Sequence, residues 1–175
     1  MIMNVIKKND IIMTKISDFF VNNNNIDYLI NILNNNIPIS LRIIDWFVTN
    51  YSKKYNIYWN INNDRFSVFQ DYKSQLKAYS KKFFDPFCRR ERINFYYNNK
   101  DFIVTTIGQL NFFKWAIKNN IIEYISNNYS TIELDMHNSL KKNYFNNNNK
   151  KRRELSTSCI KTISKNYNKT ILKFN

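Results

Sequence analysis

The sequence predicts an α+β fold, with helices packed on a small, mostly antiparallel sheet built from hairpins. Three observations carry that expectation. Apolar residues recur at helical spacing in several segments. Two pairs of short aromatic and β-branched runs flank Asn-rich turns. The chain is 43% hydrophobic and 17% aromatic, which is ample material for a core. Its 175 residues fit one domain, or one domain with tails. Asn, Lys and Ile dominate, as coding DNA rich in A and T would produce, and there is one glycine. Turns therefore need another residue. Asparagine tolerates left-handed backbone and bonds its own main chain, so Asn62-Asn63 and Asn98-Asn99 are expected to take that role.

Residues 1–37 read as an Asn-rich extension with one short helix, carried by Ile26, Leu29, Ile30 and Leu33. The run 22–25 reads as a flexible insertion. A single α+β domain is expected over 38–175. Ser40 is placed to cap a helix whose stripe is Leu41, Ile44, Phe47 or Val48, Tyr51 and Tyr55. Segments 56–61 and 65–69 around Asn62-Asn63-Asp64 predict a hairpin. A second helix follows on Tyr72, Leu76, Tyr79 and Phe83, and Pro86 stops it. A second hairpin is expected over 93–97 and 102–105, turned at 98–101. The sequence Thr106-Ile-Gly-Gln109 is a capping box for a third helix, with Leu110, Phe113, Ile117, Ile121 and Tyr124 as its stripe. Gly108 lies in the first turn of that helix, where the missing side chain allows close approach of backbone or ligand. Residues 127–151 read as a loop, least structured at 146–149. A last helix over 154–167 and a strand over 170–174 complete the expectation.

The formal net charge is +14, from 27 Lys and Arg against 13 acids, and it implies a polyanionic or acidic partner. From Asn138 onward ten Lys/Arg face one acid, Glu154, so +9 of the +14 lies there, with a basic loop near 141–153. Two clusters stand out. Lys81, Lys82, Arg89, Arg90 and Arg92 surround Phe84 and Phe87 beside Pro86. Arginine forks match phosphate oxygens and exposed rings stack on bases, so this stretch reads as a nucleic-acid surface. The blander reading is a structural corner with Phe83 and Phe87 in the core and the arginines solvated or paired with Asp85 and Glu91. Lys150, Lys151, Arg152 and Arg153 read as a phosphate-binding arm, a receptor-read address resembling a nuclear-localisation signal, or a solvated basic loop.

Catalytic chemistry finds little support. One His, His137, and two distant cysteines, Cys88 and Cys159, make neither a standard zinc site nor a disulfide framework. A single glycine excludes a Walker A loop and a dinucleotide-binding fingerprint. Asp64, Asp71 and Lys73 loosely resemble a metal-dependent nuclease set, at an unfavourable spacing. No apolar run reaches the length of a membrane span, and the N-terminus is charged too early for a secretory signal. The expectation is a non-enzymatic protein with no cofactor and no bound metal, soluble and intracellular. Its partner is DNA or RNA, or else an acidic protein in a structural or assembly role; its oligomeric state is open.

Three stretches carry a resemblance. They are Ser40-Leu-Arg-Ile-Ile-Asp-Trp-Phe-Val-Thr-Asn-Tyr51, the run from Tyr72 through Phe-Phe-Asp-Pro-Phe-Cys-Arg-Arg-Glu-Arg to Ile93, and Thr105-Thr-Ile-Gly-Gln-Leu-Asn-Phe-Phe-Lys-Trp-Ala-Ile117. With the segment from Lys151 onward they resemble an uncharacterised family of nucleocytoplasmic large DNA viruses, over roughly 38–125 and 150–175. The resemblance implies a giant-virus gene expressed in the cytoplasm or nucleus of an infected host cell, or a product packaged in the virion. It carries no functional residue across.

Overall fold

The computed structural model describes residues 8–22, 25–34, 36–98 and 100–148. The chain divides into two compact units, Met1–Asn138 and Ser139–Asn175. The elements, in order, are helix α1 (Lys8–Ser17) continued by a π-helical turn (Asp18–Asn22), helix α2 (Ile26–Leu33), helices α3 (Leu41–Trp46) and α4 (Ser52–Lys54) joined by a second π-helical turn (Phe47–Tyr51), strands β1 (Tyr58–Ile61) and β2 (Asp64–Ser67), and helix α5 (Val68–Phe83). Strands β3 (Ile93–Tyr96) and β4 (Phe102–Thr105) and helices α6 (Ile107–Lys118), α7 (Ile121–Asn127) and α8 (Tyr129–Asn148) follow. The fold is α+β, and it is mostly helical. The strands form two separate antiparallel hairpins, β1–β2 and β3–β4.

Helix α6 is buried along most of its circumference. Leu110, Phe112, Phe113 and Ala116 are wholly inaccessible, so this short helix is a core element rather than an amphipathic cover. Around it Ile16 and Phe20 come from the N-terminal segment, Leu29 from α2, Ile44 from α3, Val68 from α5, Ile121 and Ile125 from α7, and Ile132 from α8. The residues before Pro38 therefore contribute to the same core as the rest of the first unit, and α1 is a helix the sequence did not predict there. Lys114 on α6 donates to the carbonyl of Lys15 on α1, tying the two together at 2.9 Å.

Local signals explain most elements. Ser40 caps α3 by accepting from the Ile43 amide at 3.3 Å. The expected stripe holds from Ile44 through Phe47, Val48 and Tyr51, but Tyr55 is exposed. Asn62 and Asn63 turn the first hairpin with φ of 51° and 70°, both left-handed, as a two-residue turn pairing Ile61 with Asp64 demands. The capping box of α6 forms in one half only. Thr106 Oγ1 accepts from the Gln109 amide at 3.1 Å. The Gln109 side chain does not reach back; it accepts from Thr105 Oγ1 at 2.8 Å and donates to the Pro86 carbonyl at 2.9 Å.

Two expectations are corrected. The stripe drawn from Leu110 to Tyr124 is two helices, because Asn120 adopts left-handed geometry (φ 57°, ψ 23°) between α6 and α7. The region 127–151, expected as a loop, is α8 as far as Asn148. Its Asn and Ser content lowers helix propensity, but Ile132, Asp135 and Met136 recur at helical spacing and are buried, so packing outweighs propensity. The helix expected at 154–167 and the strand at 170–174 lie outside the described residues.

Candidate functional site

The corner around Pro86 is built by two breaks in backbone geometry. Inside α5, Ser80 sits at φ 58° and ψ 169°, a region that normally admits only glycine. The kink sets the last turn, Lys81 to Phe83, apart from the body of the helix, and Ser80 Oγ accepts from the Lys82 amide at 3.4 Å. Pro86 then prevents further helix. The turn is bolted to the start of α6 by three bonds. The Asp85 amide donates to the Gly108 carbonyl at 3.2 Å, Asn111 Nδ2 donates to the Phe83 carbonyl at 2.9 Å, and Gln109 holds the Pro86 carbonyl. Gly108 is where the two segments meet. A Cβ there would lie 3.0 Å from the Lys82 carbonyl oxygen and 3.4 Å from the backbone of Phe83 and Phe84. The close approach expected of this glycine is made by backbone.

The candidate residues divide into three groups. Phe84 is 1% exposed and packs against Tyr72, Phe112 and Trp115, so its ring belongs to the core and is closed to any ligand. That corrects its candidacy as an exposed stacking ring. Arg89 makes a two-pronged pair with Asp85, Nε to Oδ2 at 2.9 Å and Nη2 to Oδ1 at 2.7 Å. Its guanidinium also lies 4.8 Å from the centre of the half-buried Phe87 ring. Hydrogen bonding to Asp85 pushes the Arg89 pKa up, so this charge stays on but is offset by a buried carboxylate. Arg89 thus lies over the half-buried Phe87 ring at the corner while its side chain stays open to solvent. Beneath it, burial first, and then the neighbouring Asp85, raise the pKa of Asp45; burial with Asp45 and Asp85 pushes the Tyr72 hydroxyl up to about 12.

Lys81, Lys82, Arg90 and Arg92 form the third group. All four are exposed, and none makes an ion pair among the described residues. Lys82 and Arg90 line one cleft of about 670 Å³ together with Phe83, Glu91, Ile93, Thr106 and Ile107. Its lining combines three apolar side chains, Phe83, Ile93 and Ile107, with two cations, one carboxylate and the Thr106 hydroxyl. Lys82 Nζ lies 5.2 Å from the centre of the Phe83 ring. Such a cleft is suited to an anion that also presents an apolar or aromatic face. Lys150, Lys151, Arg152 and Arg153 lie outside the described residues.

The nuclease-like set does not converge. Asp71 lines a different cleft and accepts from Trp115 Nε1, while Asp64 is exposed at the tip of β1–β2 and Lys73 leans over the Phe69 ring. Among the described residues no three His, Cys, Asp or Glu side chains stand close enough to hold a metal ion, and no helix is long and apolar enough to cross a membrane. Cys88 is a half-buried free thiol.

One surface went unnoticed in the sequence. On the β3–β4 hairpin, Tyr96 pairs with Phe102 across the strands, and both rings face outward with Val104. The signal was present: in 93–97 apolar residues fall on both faces of the strand instead of alternating with polar ones.

Comparison with known proteins places the chain. No solved structure matches it. Over 117 residues it is 44% identical to "Uncharacterized protein L507" of Acanthamoeba polyphaga mimivirus, a match covering 62% of this chain and 45% of that protein. The chain thus spans less than half the length of that relative. The profile of a family of unknown function, DUF7197, matches residues 4–173, which includes the N-terminal segment that the resemblance had left aside. The similarity to a mimivirus protein agrees with the giant-virus resemblance carried by the sequence, and the chain belongs to this family of unknown function, DUF7197.

Proposed function

We propose that this chain is a non-enzymatic viral protein that binds nucleic acid through a Lys/Arg surface with neighbouring aromatic and aliphatic side chains. The observation that carries the reading is that Lys82 and Arg90 line one cleft together with Phe83, Ile93 and Ile107, in a chain with a net charge of +14. Lys81 and Arg92 extend the same basic segment with exposed side chains. Nucleic-acid affinity rests largely on phosphate neutralisation by Lys and Arg, and apolar side chains between cations contact sugars and bases. Arg89, held by Asp85, positions the corner and contributes less to a phosphate contact. Lys150, Lys151, Arg152 and Arg153 are assigned as a further phosphate-contacting arm on the strength of their charge alone.

An electrophoretic mobility shift with single- and double-stranded probes at low salt tests the reading. The full chain should retard nucleic acid, and replacing both Lys82 and Arg90 by Ala should weaken binding about tenfold, each lost phosphate contact being worth ~1 kcal/mol or less at an exposed site. No retardation at low salt would refute it. Retention by an immobilised acidic polypeptide, without any nucleic-acid shift, would favour the alternative of an assembly protein with an acidic protein partner.

A further inference from the structure

We infer that the outer face of the β3–β4 hairpin is a stacking platform for unpaired bases, so that the nucleic acid this chain takes is single-stranded. The inference rests on the nucleic-acid reading above and adds to it the strandedness of the ligand and the residues that select it.

The hairpin has two unlike faces. Phe95 and Thr105 point into the core at 3% and 0% exposure. On the other side Tyr96 is 59% exposed, Phe102 45% and Val104 55%. Single exposed apolar residues are ordinary, but here three lie together on one ribbon, two of them aromatic. Tyr96 and Phe102 are direct cross-strand partners, with ring centres 5.2 Å apart and planes tilted by 48°. Each ring turns about only two side-chain bonds and already rests against the other, so little side-chain freedom is lost when a flat ligand settles on them. Cations occur at both ends of the hairpin's strands. Arg92 directly precedes β3 and Lys100 lies in the turn, both exposed. The acid of that turn, Asp101, accepts from Asn98 Nδ2 at 3.3 Å.

Rings that stack and cations that reach phosphate are the two components of single-strand recognition. A duplex hides both faces of each base and leaves such rings nothing flat to meet. Ile93, at the start of β3, lines the Lys82–Arg90 cleft, so cleft and platform are carried by one hairpin.

The test uses fluorescence anisotropy of the full chain with three probes. They are a thymidine oligonucleotide, an abasic oligonucleotide of equal length and phosphate count, and a blunt duplex. The wild-type chain should bind the thymidine strand about tenfold more tightly than the abasic one. The double variant Tyr96→Ala with Phe102→Ala should lose that margin and keep its abasic and duplex affinities. Equal affinity for thymidine and abasic strands would overturn the stacking platform and leave the nucleic-acid reading standing. Failure of the wild type to bind any probe at low salt would overturn both. The abasic arm needs no substitution, so a poorly folded variant does not affect it. A double variant that changes only the sedimentation of the free chain would make this face an interface between copies, and would also overturn the platform.

Discussion

Gly108 is fixed from two sides. Its carbonyl receives the Asp85 amide, and its Cα faces the carbonyl oxygen of Lys82 so closely that any Cβ would push it. Alanine there would gain up to about 1 kcal/mol of helix propensity. It would also overpack a backbone contact, at a cost of about 1–3 kcal/mol. Gly108→Ala should therefore lower stability by about 1 kcal/mol, seen as a fall of a few degrees in Tm by circular dichroism. An unchanged or raised Tm would show that the Lys82 carbonyl yields easily. The need for a bare Cα here was legible, since the chain's one glycine falls in a capped first turn. The identity of the group that approaches was not, because nothing local places residue 82 against residue 108. The same holds for Phe84. Among three phenylalanines within five positions, only the contacts with Tyr72, Phe112 and Trp115 decide which one is buried.

Among the elements, the hairpins and the capped helices were legible because each has short-range chemistry behind it: Asn62-Asn63 at a left-handed turn, Ser40 and Thr106 at helix starts. Helix α8 was not, because its stability comes from partners distant in sequence. Asp135, buried at 8% exposure, accepts from Trp46 Nε1 at 3.2 Å, from Tyr55 Oη at 3.0 Å and from Lys54 Nζ, joining α8 to the α3–α4 segment. Burial alone would raise this carboxyl; the three hydrogen bonds, from Lys54 above all, hold it below the usual aspartate range. A depressed folded pKa means stability that is fully present above the unfolded value and is lost as pH falls through the folded one. Replacement by Asn should thus cost about 1–2 kcal/mol at neutral pH, the Lys54 contact being discounted because its head is solvated. In denaturant melts, the gap between wild type and Asp135→Asn should hold from neutrality down to about pH 5 and close below about pH 4. A gap independent of pH would mean that Asp135 acts by shape and not by charge.

At the scale of the whole molecule, the dominant feature is charge. The excess of Lys and Arg was plain in the sequence, and so was the segment around Pro86 that carries part of it. The sequence could not divide that segment. Arg89 proves to be spent on Asp85, while Lys82 and Arg90 converge on a cleft whose other walls come from β3 and the start of α6. That convergence depends on the strained Ser80 and on the junction at Gly108, both tertiary in origin. Binding by such a surface must release counterions, each phosphate contact adding about 0.7 to the salt slope on a single strand. Filter binding of the full chain to a single-stranded oligonucleotide across a range of salt concentrations tests this most directly. The predicted result is a steep linear fall of log affinity with log salt, made shallower by about one contact for each of Lys82→Ala and Arg90→Ala. A flat response, or no binding even at low salt, would contradict it.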